Sequence, residues 1–208
     1  MKYLTLLLLF STLMLTSSCK YILIKYERVK QPTLENHESL SRFLCSKGID
    51  TSEILCFKDT TALNTFYKLH LSVPEARFFN KEKKLVDYRN SIFDCNGMVS
   101  VFIEKVDSIN LVTPIEGEYL DKYLESVVVE STGNPFTLEN QKYEVYMVVY
   151  WAKYLGNVSK RKVYDWQEHV KKANQDGTRI RMILVDIDYQ KFWGISKDVL
   201  PEFIFSSF

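Results

Sequence analysis

The sequence predicts an α/β protein: a mixed or parallel sheet with helices on its faces. Residues 143–151 and 180–187 are near-continuous apolar runs, the pattern of strands buried on both sides. Between them, residues 159–174 place Val163, Trp166 and Val170 at helical spacing on one face. Upstream, strand and helix patterns alternate, and that alternation calls for helices packed on a sheet.

Taken in order, residues 38–48 read as a helix with Leu40, Phe43 and Leu44 on one side and Gly48 as its stop. A short strand, 54–57, and a helix, 61–71, follow. Pro74 opens a hairpin of two strands, 75–80 and 85–89, joined through Lys81-Glu82-Lys83-Lys84. Asp94 is a good N-cap for a helix over 95–106, with Met98, Val101 and Phe102 expected inward. After the polar stretch 113–117 the pattern predicts a helix over 119–127 and a loop over 131–140. The two apolar strands and their helix come next, then a short helix over 189–194 and a last strand over 202–205.

The first eighteen residues have the order of an export signal. Lys2 supplies the positive end, residues 4–15 form a short apolar run, and Thr16, Ser17 and Ser18 lead into Cys19. The run falls short of the roughly 20 apolar residues a spanning helix needs. Leu15-Thr16-Ser17-Ser18-Cys19 resembles the lipobox of bacterial lipoproteins, with Thr16 where leucine is usual. The resemblance implies cleavage before Cys19 and acylation of its thiol, palmitate included. That makes membrane lipid a partner through Cys19 and gives a cell-envelope location. Lys20 after the cysteine, in place of aspartate, favours the outer membrane over the inner.

Without Lys2 the remaining chain has 26 basic and 26 acidic residues, so it lacks the basic excess that nucleic acid would require. Aromatic residues make up 14% of the chain against only 7 Gly and 5 Pro, which describes a packed domain and not a disordered stalk. Cys45, Cys56 and Cys95 form no CxxC pair; each is a free thiol or half of a disulfide. His37, His70 and His169 stand apart in sequence, so spacing supports no metal site, and neither a cofactor nor a catalytic set is expected.

Residues 148–158, Val-Val-Tyr-Trp-Ala-Lys-Tyr-Leu-Gly-Asn-Val, resemble the central strand and active-site turn of the thioredoxin-like family. In that family Trp-Ala and two residues lead into Cys-Gly-Pro-Cys at the start of a helix. Here Leu155 and Val158 stand at the cysteine positions, Gly156 keeps the glycine and Asn157 replaces the proline. Residues 183–188 are similar to the family's next strand. Pro201, and separately Pro74, resemble its cis-proline.

The resemblance implies a thioredoxin-like sheet that has lost its redox chemistry. A thioredoxin needs a thiolate at a helix N-terminus and a second, resolving thiol. The expected division is a signal peptide over 1–18, a lipidated tether over 19–35, an N-terminal unit over 36–112 and a C-terminal unit over 113–208. Two arrangements are open: two abbreviated thioredoxin-like units in tandem, or one sheet that takes its closing elements from the N-terminal half. The expected role is a binding or scaffolding module for another envelope protein. The alternative is a thiol–disulfide protein using Cys45, Cys56 or Cys95.

Overall fold

The computed structural model describes residues 25–69, 73–89, 96–106, 109, 112–138 and 143–201. The expected signal peptide, Cys19, Cys95 with the Asp94 cap, and the strand over 202–205 lie outside the described residues. The elements are β1 (Leu34–Glu35), α1 (His37–Cys45), β2 (Leu55–Phe57), α2 (Thr60–Leu69), β3 (Glu75–Asn80), β4 (Leu85–Val86), α3 (Val99–Glu104) and α4 (Leu120–Leu124). They continue with β5 (Val127–Val129), β6 (Val145–Trp151), α5 (Asn157–Gln175), β7 (Ile180–Asp186) and β8 (Tyr189–Gln190).

Six strands form one mixed sheet in the order β4-β3-β6-β7-β2-β5, and β1 pairs with β8 beside it. β6 lies at its centre. It runs parallel to β7 through Val145↔Ile180 to Trp151↔Asp186, and antiparallel to β3 through Glu75↔Tyr150 to Asn80↔Val145. Every residue of β6 is buried, as its apolar run predicts. Val145, Met147, Val149 and Trp151 pack with α1, α3 and α5; Tyr146, Val148 and Tyr150 pack with α2 and α4. The alternation of side chains along a strand therefore feeds two apolar layers at once.

The sheet interleaves the two halves of the chain. β3 and β4 from the first half flank β6, and β2 lies between β7 and β5. The boundary expected at 112/113 therefore divides the chain but not the sheet. Separate tandem units give way to the shared arrangement, because a strand as apolar as β6 needs a neighbour along both edges and β3 supplies the second.

Local differences have plain causes. The helix expected over 119–127 stops at Leu124, and Val127–Val129 instead pairs antiparallel with β2. Three consecutive β-branched residues prefer a strand to a last helical turn. The segment expected as a helix over 189–194 begins as β8, because Tyr189 and Gln190 pair with Leu34 and Glu35 of the expected tether. In α3 the buried stripe is Val99 and Ile103, continued by Val106, and Phe102 packs inward on Phe78 as expected; Met98 and Val101 face solvent. The cis peptide bond among the described residues precedes Pro74, at the entrance to β3. The bond before Pro201 is not cis; Pro201 lies exposed, with no described strand beside it.

Ile103→Ala should cost about 2–5 kcal/mol, the range for emptying a packed aliphatic site. Val101→Ala should stay within about 0.5 kcal/mol. Urea unfolding of both variants checks which stripe of α3 meets the sheet; a larger loss at Val101 would refute the assignment.

Candidate functional site

Where β6 ends, Ala152 is extended, a 3-10 turn spans Lys153–Leu155, and α5 begins at Asn157. This is the strand-to-helix turn on which the four positions of the family motif fall. Tyr154 and Leu155 are buried, Val158 is half-buried, and the turn carries no thiol. Gly156 has φ 60 and ψ −131, a conformation that essentially only glycine adopts. A Cβ there would lie 2.2 Å from the carbonyl oxygen of Glu27 and 2.5 Å from that of Arg28.

Those carbonyls belong to a strap, residues 25–31, that crosses the turn. The Lys30 backbone N–H donates to the Tyr154 carbonyl at 2.8 Å, and the Asn157 side-chain amide donates to the Tyr26 carbonyl at 3.1 Å. The Arg161 guanidinium pairs with buried Glu27 at 3.1 Å. The start of α5 is thus covered by the chain's own backbone.

Beneath the turn lies a buried polar cluster. Asp188, 1% exposed, accepts from the backbone N–H groups of Lys153 (2.5 Å) and Tyr154 (3.3 Å). Asp186 is fully buried; one of its carboxyl oxygens accepts from the Gln190 side-chain amide at 2.6 Å. Burial first, then the neighbouring Asp188 carboxylate, hold the Asp186 carboxyl well above the usual range. Two carboxyls side by side away from water cannot both ionise, so Asp186, the more strongly raised of the two, keeps its proton. Glu35 closes the cluster, taking hydrogen bonds from Thr33 and Ser39 and pairing with Lys153 Nζ at 2.5 Å.

Asp186 and Asp188 alternate at the end of a strand, and nothing in sequence ties them to Glu35 or Lys153. The topology makes the connection, because β1 pairs with β8 and the turn folds back over the end of β7. The readable signal was two carboxylates closing a run that is otherwise apolar.

The cysteines do not converge. Cys45 and Cys56 are free thiols; Cys45 is exposed on α1, with Sγ 3.3 Å from Thr51 Oγ1, and Cys56 is buried in β2 opposite Asp186. Burial first, then Asp186 and Glu130, push the Cys56 thiol far up, so it stays protonated and unreactive. Among the described residues no three His, Cys, Asp or Glu side chains gather as metal ligands.

A second feature escaped the sequence reading. A groove of about 840 Å³ opens between α2 and α4, floored by Phe57, Phe66 and Tyr150 and flanked by Arg77, Tyr123 and Lys58. The three floor rings pack together with centroids 4.5–6.3 Å apart. Arg77 pairs with Glu75 at 2.6 Å, and Tyr123 donates to Glu118 at 2.8 Å. Hydrogen bonds from Lys122 and Tyr123 hold the Glu118 carboxyl below its ordinary range, so it is charged throughout the neutral range. Burial raises the Tyr123 and Tyr150 phenols, which stay protonated. None of these three groups is poised to transfer a proton near neutrality. Fixed charge above an aromatic floor, at ordinary ligand-pocket size, is an arrangement suited to holding a ligand. Its lining comes from β2, α2, β3, β4, α4 and β6, and the clue in sequence was an arginine inside the buried run Glu75–Asn80.

Comparison with family models, with curated proteins and with solved structures finds no match to this chain. Among the described residues no helix is long and apolar enough to cross a membrane.

Asp186 sets a pH dependence. Its folded carboxyl holds a proton that the unfolded chain has lost above the ordinary carboxyl range near 3.8. The folded state then binds more protons, so this group lowers stability as pH rises from that range through the raised value. Asp186→Asn keeps an acceptor for the Gln190 amide without the titration. Its stability relative to the parent should increase steadily between about pH 4 and about pH 7 in urea unfolding. A pH-independent difference would show that Asp186 is ionised in the fold.

Proposed function

We propose that the chain is a cell-envelope lipoprotein, held in a membrane by acylated Cys19, whose redox-inactive thioredoxin-like domain binds a partner protein. The order β4-β3-β6-β7, the helix that follows β6 and the hairpin with its following helix support the thioredoxin-like reading. In this chain the hairpin and helix that close the family fold precede the strand and helix that open it. Pro74 lies at the start of β3, whose next residue pairs with Tyr150 just before the turn. The observation that carries the functional reading is the turn itself. Leu155 and Val158 supply no thiol, and the strap backbone packs against Gly156, where a reacting disulfide would have to approach. The aromatic groove supports binding as the activity that remains, and the outer membrane is the expected location.

Full-length protein and its Cys19→Ala variant, expressed in a bacterium and fractionated, test the anchor. The parent should sediment with the membranes, cleaved and increased in mass by acyl chains, while the variant accumulates as uncleaved precursor. The parent should also fail to reduce a disulfide-bonded protein substrate. A variant cut at the same position and still membrane-bound would overturn the anchor. Reductase activity abolished by Cys45→Ser or Cys95→Ser would replace the binding module with the thiol–disulfide alternative.

A further inference from the structure

The charges of this nearly neutral chain are unevenly partnered. Most described arginines are tied to carboxylates: Arg42 to Glu38, Arg77 to Glu75, Arg89 to Asp87, Arg161 to Glu27 and Arg181 to Glu53. Elsewhere some lysines, such as Lys122 and Lys171, are likewise paired, and others, such as Lys58, Lys162 and Lys172, have no carboxylate within ion-pair distance among the described residues. Lys25, Arg28, Lys30, Lys47 and Lys160 stand out by their place in the fold. Among the described residues none of the five has a carboxylate within ion-pair distance.

These cations collect at one end of the fold. Lys25, Arg28 and Lys30 are exposed on the strap, which is fixed to the 153–157 turn. Lys160, in the first turn of α5, donates to Ser46 at 2.7 Å just past α1 and sits 4.3 Å over the Phe43 ring. Lys47 follows Ser46 and lies over the Tyr164 ring at 5.1 Å. Arg28 and Lys47 are close enough to Lys160 that, after burial, their repulsion lowers its affinity for a proton. The surface thus holds like charges together with no internal counter-charge. Tyr26 stands out from it, 74% exposed, an aromatic ring of the kind that settles at headgroup depth.

The chain leads from this surface straight to the proposed anchor. Lys25 follows Cys19 by six residues, which span at most about 20 Å when extended. If Cys19 carries acyl chains, these cations are held at the bilayer surface, where charge is felt only within about a Debye length.

We propose that the surface formed by the strap, the end of α1 and the start of α5 rests on anionic phospholipid headgroups, orienting the domain with its thiol-free turn toward the membrane. The orientation rests on the anchor reading, whereas the lipid preference is a property of the folded surface and is measurable without an acyl chain. The described fold begins at residue 25, so cleavage before Cys19 removes none of it.

The experiment uses the chain from residue 19 onward with Cys19→Ser, which cannot be acylated. Its cosedimentation is measured with vesicles of phosphatidylcholine alone and with phosphatidylcholine containing about one-third phosphatidylglycerol. Binding should be at least about tenfold stronger to the anionic vesicles and should be lost near molar salt. Lys25→Gln with Lys47→Gln should weaken it by about fivefold per charge, and Lys122→Gln with Lys171→Gln, which removes as much charge elsewhere, should leave it within about twofold. Equal binding to both vesicles, or equal losses in the two double variants, would overturn the proposal. Circular dichroism confirms that the variants fold; the lipid and salt dependence of the chain with intact lysines stands apart from them. Failure of the anchor is read separately, from fractionation of the Cys19→Ala protein, and leaves these vesicle results unaltered.

Discussion

Everything in this fold is built on β6, a strand with no polar face. Seven consecutive buried residues must be covered on two sides and hydrogen-bonded along two edges. Chain continuity supplies one edge, since α5 crosses over the sheet and delivers β7 in parallel. The other edge is filled by β3, about seventy residues upstream. That single antiparallel pairing commits the N-terminal half to the C-terminal half. It also explains why α3 packs beside α5 on the same face although the segments are distant in sequence.

The ends of β6 and β7 are where apolar packing stops and polar chemistry begins. Trp151 and Asp186 are register partners, and just beyond them the chain must turn in both strands. Backbone N–H groups freed by the turn at Lys153 and Tyr154 need acceptors in a dry place. Asp188 supplies them, and its charge in turn favours a protonated Asp186. The carboxyl cluster therefore serves as the seam between sheet and turn. Both carboxyls are buried, and the groups that hydrogen-bond to them belong to the chain itself.

How legible this was depended on the kind of signal. β3, β6, α5 and β7 lie within about two residues of the expected bounds, because long apolar or amphipathic patterns record burial directly. The turn at residues 153–157 was legible from Trp151, Ala152 and Gly156 together. Val127–Val129 and Tyr189–Gln190 were misassigned for a common reason: both are short edge segments whose state is decided by a partner strand distant in sequence. On α3 Phe102 packs inward as expected but Met98 and Val101 do not, since Val99, Val101, Phe102 and Ile103 are all apolar and only the neighbouring elements select among them. The groove left only Arg77 as a trace, because its wall is assembled from six separate elements.

The strap joins these features to the proposed anchor. Eight and nine residues from Cys19, the Glu27 and Arg28 carbonyls pack against a glycine that tolerates no side chain, Glu27 is buried to pair with Arg161, and the chain passes into β1. β1 then carries Glu35 into the carboxyl cluster and pairs with β8, so the approach to the domain and the seam below the turn form one continuous mechanical path. A chain that merely tethered a domain would need no such contacts, and flexible linkers are usually polar and free of them. Here the entering segment is part of the packed structure. Its orientation relative to the sheet is fixed, and with an acyl chain on Cys19 the thiol-free turn, held at Tyr26, would lie within about 30 Å of the bilayer.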